Sequence, residues 1–154
     1  MKKLKTHVLM VSENFPANHK KKGQPTNFQD YILAKIKIHT IRTNYDLWKK
    51  RMDEINDGVA ILSVRQWTGL PYRSKQKEIT RFNKSSGIGI QKLFEMNFDP
   101  DYFNLMCNEE EALHEVSFKR LATNDGLSIE DFKEWFKKPI SEPMAVIHFT
   151  DFRY

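Results

Sequence analysis

Residues 37–42 read Lys37-Ile38-His39-Thr40-Ile41-Arg42 and predict a β-strand that directly follows a short helix. The helix is expected to begin at Thr26, because residues 26–29 (Thr-Asn-Phe-Gln) match a capping box. In that motif a threonine hydroxyl and a glutamine amide satisfy free backbone N–H groups. Phe28 and Ile32 then form the buried stripe of the helix. Residues 26–42 are therefore predicted to be a helix that leads into a strand.

The sequence on either side of this segment predicts five more strands and three more helices. Apolar runs give the strands, and apolar residues one helical turn apart give the helices. The expected strands are residues 7–11, 59–67, 78–82, 88–94 and 144–149, and the expected helices are residues 45–55, 129–137 and a short helix within 109–122. Residues 97–108 fit neither pattern. The prediction is an α+β fold with a small β-barrel of about six strands and three or four flanking helices.

The composition predicts one domain over residues 1–154. Hydrophobic residues make up 40% of the 154 residues and aromatic residues 12%, which is enough apolar material for one core. No run approaches the roughly 20 apolar residues that span a membrane, so no membrane partner is expected. Cys107 is the only cysteine, which excludes a disulfide within the chain and favours a reducing, cytoplasmic location.

Charge is unevenly distributed along the chain. Residues 1–92 contain 19 Lys and Arg against 7 Asp and Glu, a net +12, whereas residues 93–154 contain 6 against 13, a net −7. The first part could attract phosphate groups. Alternatively, the two parts neutralise each other across the fold, and the sequence leaves both possibilities open.

Three stretches follow one another in a defined order between residues 26 and 149. They are residues 37–42 after the capped helix, residues 62–76 (LSVRQWTGLPYRSKQ), and residues 121–127 (LATNDGL), which lead into a helix with Phe132, Trp135 and Phe136. Together they resemble the ASCH domain family of the PUA-like superfamily, in particular a bacterial and phage-type subgroup. The resemblance implies a β-barrel with a cleft between barrel and helices, lined by the first stretch, that accepts RNA or a nucleobase.

The resemblance also implies a catalytic possibility. Some small ASCH proteins are amidohydrolases that act on N4-acetylcytidine with a lysine, a threonine and a carboxylate. These roles would fall on Lys37, Thr40 and Asp125, although the family enzyme has a glutamate at the third position. The segment between about residues 66 and 108 is also longer than in the minimal enzymes.

The proposed chemistry requires particular neighbours. A threonine hydroxyl becomes a nucleophile when a base removes its proton, and a lysine can be that base if burial or a nearby cation such as Arg42 lowers its pKa. Residues 37 and 40 point to opposite faces of a straight strand, so Lys37 must lie in the turn before the strand or at a bulge to join Thr40. The alternative is a solvated lysine and an ordinary strand threonine.

The second stretch is predicted to bind a ligand. Arg65, Arg73 and Lys75, together with Arg42, are candidates for contacts with phosphates. Trp67 and Tyr72 offer flat faces on which a base can stack. The alternative is that the two rings belong to the core and the cations to a solvated loop.

No metal site and no cofactor is predicted, because no Cys/His pair has zinc spacing and no glycine loop precedes a helix as a phosphate cradle does. His39 and His148 lie within strand patterns and are interpreted as satisfied, semi-buried histidines.

Three hypotheses follow. The first is a domain that binds RNA or a modified nucleoside in a basic, aromatic-lined cleft. The second is a small amidohydrolase acting on an N-acylated nucleobase such as N4-acetylcytidine. The third is a protein-interaction domain whose acidic stripe meets a basic partner; the stripe would comprise Glu109, Glu110, Glu111 and Glu115.

Overall fold

The strands form two separate sheets. The computed structural model describes residues 2–96, 104–107, 114–138 and 142–154. The smaller sheet has the order β1-β3-β4 and consists of β1 (Lys5–Met10), β3 (Ala60–Trp67) and β4 (Gln76–Phe82). β1 runs parallel to β3, and β4 runs antiparallel to it.

The larger sheet has five strands in the order β2-β8-β5-β6-β7, all antiparallel. The strands are β2 (His39–Arg42), β5 (Gly89–Met96), β6 (Asn104–Cys107), β7 (Glu115–Ser117) and β8 (Met144–His148). Every residue of β8 is buried, as expected for an apolar strand with neighbours on both edges.

Four helices lie among the described residues: α1 (Phe28–Leu33), α2 (Tyr45–Asn56), α3 (Phe118–Asn124) and α4 (Ile129–Trp135). Trp48, Met52 and Ile55 of α2 are buried, as their spacing predicts. This stripe packs against β3 of the small sheet and against β5 and β8 of the large sheet. Both sheets thereby contribute to one hydrophobic core.

The α+β class is confirmed, but the strand pairings do not form a closed sheet. Within the described ranges, β1 and β4 each pair with β3 alone, and the other five strands form a separate sheet. Two of these strands were not predicted. β6 lies in the unassigned stretch 97–108, and β7 lies where the sequence suggested a helix within 109–122.

The predicted helix within 109–122 is therefore only partly correct. Residues 115–117 form β7, in which Val116 alone is buried, and the helix begins at Phe118, with the Ser117 hydroxyl accepting from the Arg120 N–H at 3.1 Å. A three-residue strand is too short to produce a recognisable period. The remainder of that prediction, residues 109–113, lies outside the described residues.

The capping box at Thr26 is wrong. The Thr26 hydroxyl donates to the Ser12 carbonyl at 2.8 Å and accepts from the Phe28 N–H at 3.2 Å, so it ties the preceding loop to the start of the helix. The Gln29 amide oxygen instead accepts from Gln66 Nε2 of β3, 3.1 Å away. Partners distant in sequence replaced the local hydrogen bonds that the motif predicts.

None of the helices in the described part of the chain is long and apolar enough to cross a membrane.

Replacing Ile147 by alanine removes a fully buried side chain from β8. We expect the free energy of unfolding to fall by about 2–5 kcal/mol, because the surrounding core cannot fully close the cavity. Ile36→Ala removes the same atoms from a side chain that is 52% exposed and should change stability by about 0.5 kcal/mol or less. Urea unfolding followed by circular dichroism measures both variants, and equal losses would contradict the central position of β8.

Candidate functional site

Lys37 lies in the bend between α1 and β2. This is one of the two positions from which its side chain was expected to lie on the same side as Thr40. Its N–H donates to the Tyr31 carbonyl at 3.0 Å, and the Ile38 N–H donates to the Asn124 carbonyl at 2.9 Å. The bend is thereby attached to the end of α3. Because β2 begins only at His39, the Lys37 side chain does not follow the alternation of the strand.

Asp125 is brought to Lys37 by the turn that ends α3. Its N–H bonds back to the Leu121 carbonyl at 3.0 Å, and Gly126 follows with a φ of +76°. A Cβ atom on Gly126 would lie 3.0 Å from Lys37 Cβ and 3.4 Å from Tyr31 Cδ2. Glycine therefore serves both the left-handed backbone and the close approach of the lysine.

Lys37 and Asp125 form a buried ion pair. The Lys37 ammonium nitrogen Nζ donates to Asp125 Oδ1 and to the Asp125 carbonyl oxygen, both at 2.8 Å. The exposed fractions of the two residues are 2% and 4%. Nζ also lies 4.2 Å from the centroid of the Phe28 ring, in cation–π geometry. Charge, hydrogen bonds and an aromatic face together compensate the lost hydration of the ammonium.

Thr40 and Arg42 occupy the same face of β2, two residues apart. Arg42 Nη1 donates to Thr40 Oγ1 at 2.6 Å and to the Ile41 carbonyl at 2.9 Å, while Nη2 donates to the Met10 carbonyl of β1 at 2.7 Å. The guanidinium thus joins the edge of the large sheet to the small sheet. It also places a positive charge in hydrogen-bonding contact with the threonine hydroxyl.

These four polar residues open onto one cavity of about 290 Å³. Its lining consists of Ser12, Phe28, Lys37, Thr40, Ile41, Arg42, Asp125, Leu127, Trp135 and Phe136. Hydrogen-bond donors, a carboxylate and a hydroxyl therefore share a concave space with three aromatic side chains. Such a mixture suits a flat, polar organic molecule.

The surroundings of Lys37 and Asp125 lower the pKa of both groups. Burial lowers the pKa of the Lys37 amine; Asp125 opposes this shift and Arg42 adds to it. For Asp125, burial acts to raise the pKa, but Lys37 and His39 outweigh burial and hold the pKa below its usual value. Asp125 is therefore a carboxylate, and Lys37 loses its proton more readily than a solvated lysine does.

The other predicted ligand-binding residues do not line this cavity. Arg65 and Trp67 alternate on β3 with buried Gln66, whose side chain contacts Gln29 at the start of α1. They therefore point away from α1. The structure brings Lys37, Thr40, Arg42 and Asp125 together but leaves five residues outside: Arg65, Trp67, Tyr72, Arg73 and Lys75. The cavity is thus not the single basic, aromatic-lined cleft that was expected to contain all of these residues.

The loop between β3 and β4 forms a second surface feature. Tyr72 is 90% exposed, has a φ of +63°, and its ring centroid lies 5.2 Å from that of Trp67. Arg73 and Lys75 are exposed beside it. Arg65 is held by Ser63 Oγ at 2.8 Å and Gln76 Oε1 at 3.0 Å. Tyr72 is therefore not a core residue, and a flat ring stands in solvent among cations.

His39 is a residue of the site that sequence reasoning missed. It is fully buried, and its Nε2 lies 2.5 Å from the Tyr154 hydroxyl while its Nδ1 lies 3.4 Å from Asp125 Oδ1. His148 is also fully buried, with Nε2 2.9 Å from Gln91 Oε1. The expectation of semi-buried, satisfied rings is therefore wrong. Both rings are fully buried, Nδ1 of His148 makes no hydrogen bond with the described residues, and Nδ1 of His39 has only its long contact with Asp125. The only sequence signal was that His39 precedes Thr40.

The two differently charged parts of the chain do meet. Lys37–Asp125 and Lys21–Asp131, the latter 2.7 Å apart, each join a cation of the first part to a carboxylate of the second. Neutralisation across the fold is thus part of the explanation for the charge asymmetry. Of the acidic stripe, Glu115 is exposed on β7, and residues 109–111 lie outside the described ranges.

Over the same described ranges, no three His, Cys, Asp or Glu side chains are grouped to hold a metal ion.

Gly126→Ala should cost more stability than Gly23→Ala. Both glycines have a left-handed φ, of +76° and +79°, so both substitutions strain the backbone alike. Only the Cβ at residue 126 meets Lys37, whereas nothing lies within 4 Å at residue 23. We expect Gly126→Ala to lower the free energy of unfolding by about 1–3 kcal/mol more than Gly23→Ala. Urea unfolding of the two variants measures the difference, and equal costs would contradict the close packing against Lys37.

Protein stability should fall as the pH drops below about 6.5, the usual histidine pKa. Burial is the main cause that lowers the pKa of His148 to about 2, and its electrostatic interactions with His39 and Arg153 act in the same direction. The unfolded chain therefore binds a proton that the folded chain excludes, and stability is lost from about pH 6.5 downward. The slope from this residue approaches about 1.4 kcal/mol per pH unit below about pH 6. His148→Asn should flatten urea-unfolding stability between about pH 7.5 and 5, and an unchanged slope would contradict the burial of an uncharged ring.

No protein-family model, no curated protein and no solved structure matches the chain.

Proposed function

We propose that this chain is an ASCH domain of the PUA-like type that binds RNA or a modified nucleoside and holds the nucleobase in the cavity. The observation that carries the proposal is that Lys37, Thr40, Arg42 and Asp125 open onto one aromatic-walled space. The same proposal includes two further points: the two sheets together correspond to a PUA-like barrel, and the protein is cytoplasmic.

The shape of the cavity supports a single base as the ligand. Its volume of about 290 Å³ is at the lower end of the range for small-molecule sites. A base presents donors and acceptors on its edge and an apolar face for stacking. Lys37 and Arg42 supply donors, Asp125 an acceptor, and Phe28 and Trp135 supply aromatic surface.

The loop between β3 and β4 supports contact with an RNA strand. The exposed Tyr72 ring can stack on a base, worth about 1–3 kcal/mol in proteins that bind single strands. Arg73 and Lys75 stand beside it and can neutralise phosphates. In this proposal the cavity binds one base, and the loop contacts the strand at a separate point.

Thr40→Val should weaken nucleoside binding about tenfold, because it removes one hydrogen-bonding group from the cavity without changing side-chain volume. Thr80→Val makes the same change on β4, outside the cavity, and should leave affinity unchanged. Isothermal titration with cytidine, uridine and N4-acetylcytidine measures the effect. Absence of binding to any of the three at millimolar concentration would contradict the nucleoside site.

Binding of a fluorescein-labelled single-stranded RNA should weaken steeply between about 50 and 200 mM salt, because phosphate contacts release counterions. Replacing both Arg73 and Lys75 by glutamine should make the slope of log affinity against log salt shallower by about 0.7 for each phosphate that is no longer neutralised. Lys50→Gln with Lys119→Gln removes the same charge from positions on α2 and α3 and should have a smaller effect. Equal effects of both pairs in fluorescence anisotropy would mean that only net charge matters.

A second candidate function is hydrolysis of an N-acylated nucleobase. The buried Lys37 amine, with its lowered pKa, and the Thr40 hydroxyl that accepts from Arg42 favour it. In this reaction Thr40 Oγ1 attacks the acyl carbon while Lys37 takes the hydroxyl proton, and Arg42 stabilises the developing oxyanion. The C–N bond then breaks, the leaving amine takes a proton from Lys37, and water hydrolyses the acyl–threonine ester. Asp125 orients Lys37 throughout.

Chromatography of a reaction with N4-acetylcytidine tests this function through release of cytidine and acetate. Thr40→Val should abolish turnover, and Lys37→Met should reduce it by about a hundredfold or more because the base is removed. Thr80→Val serves as the matched control, and circular dichroism verifies that each variant is folded. Binding without turnover in the unmodified protein would leave the nucleoside-binding function alone.

A further inference from the structure

A chain of polar contacts connects the cavity with Tyr154. Asp125 Oδ1, which accepts from Lys37, also lies 3.4 Å from Nδ1 of His39. On the other side of the ring, Nε2 of His39 lies 2.5 Å from the Tyr154 hydroxyl, to which Asn124 Nδ2 donates at 3.0 Å. Asn124 and Asp125 are neighbours at the end of α3, so the contacts form a closed circuit around one histidine.

The hydrogen-bond pattern favours Nδ1 as the nitrogen of His39 that carries the proton. Because the Asn124 amide donates to the Tyr154 oxygen, the Tyr154 hydroxyl can direct its own hydrogen to His39 Nε2. A neutral ring that accepts at Nε2 carries its hydrogen on Nδ1. That hydrogen faces the carboxylate of Asp125. Burial holds the pKa of His39 below its usual value, which keeps the ring in this neutral form.

The Nδ1 contact is long for a hydrogen bond, whose usual range is about 2.7–3.2 Å. Lys37 Nζ occupies the same oxygen at the shorter distance of 2.8 Å. Two donors therefore share Oδ1, and the His39 contact can shorten when Lys37 gives up its proton. Contacts of this kind commonly tighten only when a ligand is bound.

We propose that His39 is the positioning residue of the site: its Nδ1–H holds the Asp125 carboxylate toward Lys37, and the Tyr154 hydroxyl fixes the tautomer that makes this contact possible. This inference rests on the proposed function only where it concerns ligand binding. The orientation of the carboxylate is a property of the free protein.

His148 is the internal control that the fold supplies. It is paired with His39 in the register of β2 and β8, is equally buried, and its ring centroid lies 5.7 Å away. Its Nε2 bonds to Gln91 and not to Asp125. The charged groups facing Asp125 are Lys37 and Arg42, whereas His148 faces His39 and Arg153.

Substituting His39 by asparagine or by glutamine tests the roles of the two ring nitrogens separately. The side-chain amide of asparagine can place its nitrogen near the position of Nδ1, whereas glutamine places its nitrogen near Nε2. His39→Asn should therefore retain the donor to Asp125, and His39→Gln should lose it. A group that only fills space would tolerate both changes alike or neither.

The test is an NMR titration of the Asp125 side-chain carboxyl carbon in the ligand-free protein. Loss of a donor to the carboxylate raises its pKa, so His39→Gln should move the Asp125 midpoint upward by about 1 pH unit or more. Tyr154→Phe should move it in the same direction, because the Nε2 tautomer becomes accessible. His39→Asn and His148→Asn should leave it near the wild-type value.

An unchanged midpoint in His39→Gln would overturn the proposal, and so would an equal shift in His148→Asn, which would show a general effect of altering the core. Nucleoside binding measured across pH gives a second readout, in which the acidic limb should move upward in His39→Gln and not in His39→Asn. If the wild-type protein binds no nucleoside, the proposed function fails, and the NMR midpoint still decides the role of His39.

Discussion

The buried ion pair between Lys37 and Asp125 is the constraint on which the site depends. An isolated charge in a protein interior is strongly unfavourable, and removing one member of such a pair typically costs about 3–5 kcal/mol. The ammonium is retained because Asp125 offers two oxygens at 2.8 Å and Phe28 offers a ring face. The bend after α1 and the end of α3 must therefore meet, and they close one side of the cavity where they do so.

The large sheet holds this arrangement in place. β2 is an edge strand of the sheet, paired with the fully buried β8, and the bend before it is tied to α3 through the Ile38 N–H and to residue 149 through the Ile38 carbonyl. Arg42 connects the same strand to β1 of the small sheet. The cavity thus lies where β2, the loop after β1 and the ends of helices α1, α3 and α4 converge, so several elements hold its polar groups.

The cavity and the loop between β3 and β4 have opposite physical character. In the cavity Lys37 and Asp125 are buried and paired with each other, and the partly buried Arg42 is bonded to neutral oxygens. This arrangement suits selective contacts with one uncharged base. On the loop the cations and the Tyr72 ring are exposed, which suits phosphates and stacking without strict selectivity. A ligand that needs both would be a base within a strand, and the proposed function treats the two features as separate contacts.

The sequence alone determined the elements whose signals are local: α2 from its apolar spacing, α4 from its Ser128 cap, β8 from a continuous apolar run, and the position of Lys37 in the turn before β2 as one of two options. It also named Lys37, Thr40 and Asp125, through a resemblance. Only the tertiary structure decided that Thr26 bonds across to Ser12, that β6 and β7 extend the sheet, that Arg65 and Trp67 face away from the cavity, and that His39 touches Asp125. The physical reason is that each of these depends on partners far apart in the chain, whereas periodicity and capping record only neighbours within a few residues.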